Sequence, residues 1–483
     1  MKNLIIGMLL AVSCFIHAAV VHAETANTEM WVISGATIID GSGNKPIKNG
    51  VIVIENDRIV SVGKKGNINI PENAQKINAK GKYIIPGLMD ANVHLVAGAY
   101  LENLVRYEDR IEERIEEAAQ ISLKYGLTTV FDSWGPRQPL VNVRNRINAG
   151  EIPGSRFYLA GNIVGMGGPM TTDFLGGTEA PFASKRFLAR TNQLWEQGVG
   201  PELLSMTPQQ VREKVKIYTK KDIDFVKFLV SGHGSPQGNM LAFSPTAAQA
   251  IIDETKNAGL TIQTHTTTVE SLRLAVEHGV DIMQHCDATG PTAIPDSTIQ
   301  LMAQKKIYCA ILSLGLTTKK RAQYLSKMGY DDAANPLRKI SEGNIQKIIK
   351  GGVPILLGTD AGVYEDGDGT NPKYKSLVEN TEDNGVILGE AHFTWLQAMV
   401  ERGMKPMDAL LAATSSIAKA YKVDKDLGSL APGKIADLVI LDKNPLDDPQ
   451  HYRRIHLIMK GGIVIDREAL PLNPLMTKAA NAR

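Results

Sequence analysis

Cysteine is scarce: the chain of 483 residues has three, at positions 14, 286 and 309. That excludes a disulfide scaffold. Cys14 lies in the N-terminal apolar run, which leaves Cys286 and Cys309 in the body of the chain. They are expected to be two unconnected buried thiols, with a single bridge as the alternative in an oxidising compartment. An excess of one charge is also lacking. Lys and Arg number 53 against 51 Asp and Glu, a formal net charge of +2, so nothing argues for a nucleic-acid or polyanion partner. The densest charged run, "RYEDRIEERIEEAAQ" (106–120), alternates in sign and is expected to be the solvated face of a helix. After the N-terminus no segment has the roughly 18 uninterrupted apolar residues that a spanning helix needs. A G-x-S-x-G elbow, a P-loop and a dinucleotide fingerprint are all missing.

"MKNLIIGMLLAVSCFIHAAVVHAETA" places Lys2 before an apolar stretch and Val21-His22-Ala23 before Glu24. This has the form of a secretory signal over residues 1–23, cut after Ala23. The expected location is periplasmic or secreted, with no stable membrane span after cleavage. An uncleaved anchor is the alternative. A lipoprotein through Cys14 fits less well, because Ala11 stands where a large aliphatic residue is usual.

The length suits one large barrel with an accessory module. "MWVISGATIIDG", "GVIVIENDRIVSVGK" and "QKINAKGKYIIPG" are short β-branched runs between Gly, Asn and Asp turns, and "IADLVILDKNP" and "IHLIMKGGIVIDREAL" repeat that style near the C-terminus. Both ends are therefore expected to build one small β-sandwich module, residues 27–85 with 424–470. The centre, 86–423, alternates strand and helix. Its strands are "YIIPGLMDANV", "TTVFDS", "RFYLAGNIV", "DFVKFLVSG", "LTIQTHT", "DIMQHC", "IYCAILSL" and "PILLGTDAG", apolar through their length as strands buried on both faces should be. Helices separate them. One is capped by Ser244 with Pro245 in its first turn and Gly259 as its stop; another carries a Thr267–Glu270 capping box and ends at Gly279. Eight such units predict an α/β fold of the (β/α)8 TIM-barrel type. Two long connections, 166–207 and 363–391, are expected to wall the substrate site.

Polar residues cluster at the predicted strand ends: Asn92 and His94 on the first, Lys227 on the fourth, His265 on the fifth, His285 on the sixth and Asp360 on the eighth. Asn92 and His94, two apart, point the same way from a strand. Singly, each has an ordinary reading as a hydrogen-bonded, snorkelling or capping residue. A barrel brings its strand ends into one ring, and imidazole and carboxylate are ligands that a Zn²⁺-like cation takes. His233 in "SGHGSP" is a weaker substrate-binding candidate; Tyr107 and His392 are weaker still, and helix-surface positions are expected for both.

"YIIPGLMDANVHL", "DIDFVKFLVSG", "THTTTVESLRLAVEHGVDIMQH", "LLGTDAG", "MDALLAATSSIAKAY" and "GSLAPGKIADLVILD" together resemble the amidohydrolase superfamily, in its prolidase and imidazolonepropionase-like branch. The resemblance covers nearly the whole mature chain. It implies that His94, Asp360 and the residue at 92 hold one divalent metal and that His265 and His285 hold a second, Zn being the usual ion. Lys227, as a carbamate, would bridge them. It further implies a metal-activated water that attacks a carbonyl, with Asp360 as general base and then general acid. Asn92 departs from the family's usual His, as in its phenylurea and molinate hydrolases. Three outcomes stay open: two metals with Asn92 ligating or hydrogen-bonding a ligand, one metal, or a relative without catalysis.

The expected activity is hydrolysis of an amide-type C–N bond in a small molecule or short peptide: a peptide, N-acyl amino acid, urea or carbamate. A non-catalytic binding protein and a deaminase or isomerase on the same site are the alternatives. Relatives are often dimers or larger, so a homo-oligomer is left open.

Overall fold

The structure, a computed structural model, describes residues 29–96, 101–171, 180–232, 240–313, 316–327, 335–363 and 385–477. The expected signal 1–23, His233 and parts of both long connections (172–179 and 364–384) lie outside the described residues. Among the described residues no helix is long and apolar enough to cross a membrane.

The N-terminal segment forms β1 (Met30–Ile38), β2 (Ile47–Glu55), β3 (Arg58–Lys64), β4 (Gln75–Asn78) and β5 (Tyr83–Pro86). Ten further strands follow: β6 (Leu88–His94), β7 (Leu127–Asp132), β8 (Arg156–Leu159), β9 (Ile163–Val164), β10 (Phe225–Leu229), β11 (Thr261–His265), β12 (Ile282–Gln284), β13 (Tyr308–Leu312), β14 (Ile355–Gly358) and β15 (Ala361–Gly362). The C-terminal segment adds β16 (Leu438–Leu441), β17 (Ile455–Lys460) and β18 (Ile463–Val464).

The two termini meet as expected, because β16 pairs antiparallel with β5 from Leu438↔Pro86 to Leu441↔Tyr83. The result is one eight-stranded sheet in the order β18-β17-β16-β5-β1-β2-β3, with β4 paired to β1. Ile33, Ile38, Ile52, Ile84, Leu438 and Ile440 form its buried cluster. A second facing sheet is not among the described pairings of these segments.

All eight central strands appear, with interruptions that sequence did not show. The run "YIIPGLMDANV" is two strands: β5 belongs to the terminal sheet, and β6 starts the central one. The chain passes between them at Gly87, where a Cβ would lie 2.1 Å from Thr128 Oγ1, so only glycine fits. β15-β6-β7-β8 form one parallel sheet and β14-β13-β12-β11-β10-β9 another. The two meet where the third and eighth expected strands are each broken, after Leu159 and after Gly358. β10, β11 and β14 are buried throughout, as strands covered on both faces must be.

Three local expectations are corrected. Ser244 does cap Pro245–Asn257, accepting from Ala247 N. The next helix, Val269–His278, is capped one residue later than expected: Thr268 forms the capping box with Ser271. Thr267 is used elsewhere, donating its backbone N–H to Ser231 Oγ at 2.9 Å. The helix Ile111–Lys124 is not a solvated face throughout, because Arg114, Glu117 and Gln120 are buried. Glu117 accepts from the backbone N–H groups of Leu475, Met476 and Thr477 at 2.7–3.0 Å, so the C-terminal segment covers it. Cys286 and Cys309 form a disulfide instead of standing apart, since β12 and β13 are neighbours and their Cα atoms are 5.8 Å apart.

Candidate active site

Parallel pairing carries the chemistry-bearing residues to one end of each sheet. Leu229 pairs with His265, and His265 with Gln284, so His285 follows directly beside His265; their ring centroids are 5.0 Å apart. In the other sheet, Ala361↔Val93 and Gly362↔His94 set Asp360 against β6. Asp360 Oδ1 accepts from Asn92 Nδ2 at 2.8 Å and lies 2.9 Å from His94 Nε2. Asp360 also donates its backbone N–H to Asn92 O at 2.7 Å.

Asp90 locks this junction. Fully buried, it accepts from Asn92 N (3.1 Å), Thr359 N (3.0 Å) and Thr359 Oγ1 (2.6 Å), which ties β6 to the turn before Asp360. Gly358 lets that turn approach: a Cβ there would lie 2.9 Å from Ala310 Cβ and 3.3 Å from Gln284 Oε1. His285 and Asp360 both adopt left-handed backbone, φ 59° and 61°. Such conformations cost on the order of 1 kcal/mol or more in residues other than glycine, and they gather at functional sites.

Lys227 is buried, and burial lowers its pKa to about 8 against the pull of Asp360 and Asp132. Burial pushes Asp132 up to about 6, opposed by the charges of His94 and Lys227. His285 is held down to about 4, chiefly by burial. Burial alone would raise Asp360, but His285, His94 and Lys227 outweigh it and hold the carboxyl well below the usual range.

The donor set suits a cation in three respects. His94 has an acceptor near each ring nitrogen, Trp134 O at 3.3 Å and Asp360 Oδ1 at 2.9 Å, whereas a neutral imidazole has one N–H. Asn92 Oδ1 and His285 Nδ1 are buried without a hydrogen-bond partner, which is costly unless something is bound there. Yet among the described residues no three His, Cys, Asp or Glu side chains group as metal ligands. His94 with Asp360 and His265 with His285 are pairs; among the described residues, a third donor to either would be of another type, and Lys227 and Asn92 are such residues.

The weaker candidates gain no geometric support. His233 lies outside the described residues. Tyr107 is buried, not on a helix surface, with its ring 5.7 Å from the Arg114 guanidinium. His392 is also buried, with Nε2 3.1 Å from Tyr125 O, and burial holds its pKa near 3. The folded state therefore resists protonating His392, and its share of stability is lost as pH falls from 6.5 toward 3. In His392→Gln the protein is expected to lose less stability on acidification than wild type, with activity unchanged. Urea unfolding across that pH range checks this; an unaltered pH slope refutes it. Sequence reasoning missed Asp132, Gln263, Gln284 and Tyr421; the available signals were that Asp132 ends the strand "TTVFDS" and that Gln263 stands two residues before His265 and so shares its face.

The amidohydrolase family model matches residues 83–466. A solved structure of molinate hydrolase is 36% identical, with a TM-score of 0.84, covering 93% of this chain and 97% of that one. Phenylurea hydrolase B is 32% identical, with a TM-score of 0.85 and coverage of 93% and 99%. Ochratoxinase of Aspergillus niger is 24% identical over 461 residues, 91% of this chain and 87% of its own.

Proposed function

The chain belongs to the amidohydrolase family, and from that premise we propose that it hydrolyses an amide-type C–N bond, with Asp360 carrying the proton. The substrate class is a small molecule or short peptide: a peptide, N-acyl amino acid, urea or carbamate. The likeness to molinate hydrolase and phenylurea hydrolase B supports this class. In this reading the two parallel sheets are arcs of one (β/α)8 barrel, 86–423, and the terminal sheet belongs to a β-sandwich module, 27–85 with 424–470. Export through residues 1–23, a periplasmic or secreted location and homo-oligomers belong to the same proposal.

One observation carries the reading: a carboxylate held anionic by two strand-end donors, near a buried lysine of lowered pKa. Members of this family generally bind divalent metals. Here His94, Asp360 and Asn92 would hold one ion and His265 and His285 a second, with Lys227 as a carbamate shared between them. A divalent cation, Zn being expected, supplies Lewis acidity toward a carbonyl and eases the ionisation of water. Lys227 suits the modification, because an amine of pKa about 8 is partly neutral near that pH. The ammonium gives up one proton to become the neutral amine, whose nitrogen bonds to the carbon of CO2 and releases a second proton; the two losses together turn a cation into an anion.

That reversal matters for Asp360. The Lys227 charge helps to hold the carboxyl too acidic to be an effective base. An anionic carbamate removes that contribution, while His285 and His94 still hold the carboxyl low. Asp360 takes the proton from water and returns it to the leaving nitrogen.

Protein made without chelators is expected to contain divalent metal and to cleave at least one of a phenylurea, a carbamate, an N-acyl amino acid and an Xaa-Pro dipeptide. Metal analysis with a hydrolysis panel checks this. Metal far below one ion per chain, together with no cleavage, would refute the reading; ammonia release without cleavage would transfer it to deamination.

A further inference from the structure

β6 is irregular where Asn92 stands. Its partners on β7 run Asp90↔Val130 and then Val93↔Asp132, so β6 holds one extra residue at Ala91–Asn92. A bulge re-aims the side chains that follow it, and a one-residue slip turns them to the opposite face. Asn92 and His94 both reach Asp360 Oδ1 from this bulge, at 2.8 and 2.9 Å.

The carbonyl of Ala91 receives two side-chain donors from distant parts of the chain, Tyr421 Oη at 2.7 Å and Gln284 Nε2 at 3.1 Å. Tyr421 has one hydroxyl hydrogen and two acceptors in reach; Ala91 O is nearer than Gln263 Oε1 at 3.0 Å. Gln284 Nε2 also reaches Gln263 Oε1, and Gln263 Nε2 donates to Ser133 Oγ at 2.8 Å. Ser133, Gln263 and Gln284 are fully buried.

The network lies directly beneath the candidate ligands. Gln263 precedes His265 by two residues and Phe225 precedes Lys227 by two, so each pair shares a face, one layer apart. The Tyr421 ring stacks on Phe131 at 3.7 Å and meets Phe225 edge-on at 5.1 Å, so two neighbours pack the ring, while the hydrogen bond to Ala91 O sets where the hydroxyl points. Buried polar side chains are costly unless satisfied, and an apolar plug would fill the same space more cheaply. The hydrolysis proposed above gives these side chains no role.

We propose that Tyr421, Gln284 and Gln263 are positioning residues that hold the Ala91–Asn92 bulge and thereby aim Asn92 and His94 at Asp360. The kinetic part of this rests on Asp360 as the proton carrier. The test compares Tyr421→Phe, which removes the hydroxyl and keeps the ring, with Phe131→Leu, which loosens the ring stack and keeps both donors. Tyr421→Phe is expected to stay folded and to lose about tenfold or more in kcat with KM little changed. Its crystal structure is expected to show the Asn92 amide turned from Asp360. Gln284→Met, lacking the second donor, is expected to behave alike. Phe131→Leu is expected to lower the unfolding temperature while kcat and Asn92 stay near wild type. Asn92 unmoved in both donor variants overturns the proposal, as does activity that falls in all three variants only in step with stability. Asn92 displaced with kcat unchanged supports the positioning role and counts against Asp360 as proton carrier.

Discussion

Asp360→Asn is expected to lower kcat/KM by about 10³-fold or more while the protein stays folded. General acid–base catalysis is worth roughly 10²–10⁴-fold, and this substitution also weakens a proposed metal ligand. Asn is the informative replacement because residue 360 has φ 61°, a left-handed conformation that asparagine tolerates better than alanine. It keeps the shape and removes the charge and the proton-accepting oxygen. Stability should change in a defined direction. A carboxyl held below its unfolded value contributes stability above that value, 3.8, and loses it as pH falls through the folded pKa. Asp360→Asn should therefore be less stable than wild type at neutral pH, with the gap closing in acid. Steady-state kinetics and pH-dependent unfolding check both parts; activity within about tenfold of wild type would remove Asp360 from the proton-transfer role.

Lys227 should show the opposite balance, with activity lost and stability gained. Lys227→Met is expected to abolish hydrolysis yet stabilise the metal-free protein at pH 7 by on the order of 2–3 kcal/mol. The sign follows from burial, which lowers the pKa from 10.5 to about 8. The unfolded chain binds the proton more readily, so wild-type stability is reduced below pH 8 and recovers as pH rises toward 10.5. The advantage of the methionine variant should fade over the same interval. Lys227→Ala is expected to be inactive and partly restored by formate, acetate or propionate, whose carboxylate can take the carbamate's place in the vacated space. Denaturant unfolding and rescue assays separate the two claims. A methionine variant with near wild-type activity would exclude the carbamate, whatever its stability.

The residues proposed for the site could be named before folding was considered. "DANVH", "FVKFL", "QTH", "QHC" and "GTD" each pair a buried apolar strand with a polar residue at its end, and parallel strands carry such ends to one side. The layer below was not legible. Gln263 and Gln284 look like ordinary strand residues until their partners are known, and Tyr421 meets Ala91 across 330 positions. Nor did composition point to left-handed backbone at His285 and Asp360, since neither is glycine. The pairing of Cys286 with Cys309 went unforeseen for the same reason: it depends on which strands are neighbours.

Strand and helix periods, caps and turn residues act over a few positions, so element types, their order and the meeting of the two termini could be read from the chain alone. Strand breaks at Gly87 and Gly358, the extra residue in β6, the burial of Glu117 under the C-terminal segment and the direction of the Asn92 amide needed the folded molecule. Each is set by close approach between residues far apart in sequence, where a single Cβ or one hydroxyl decides the register, and no local pattern encodes that contact.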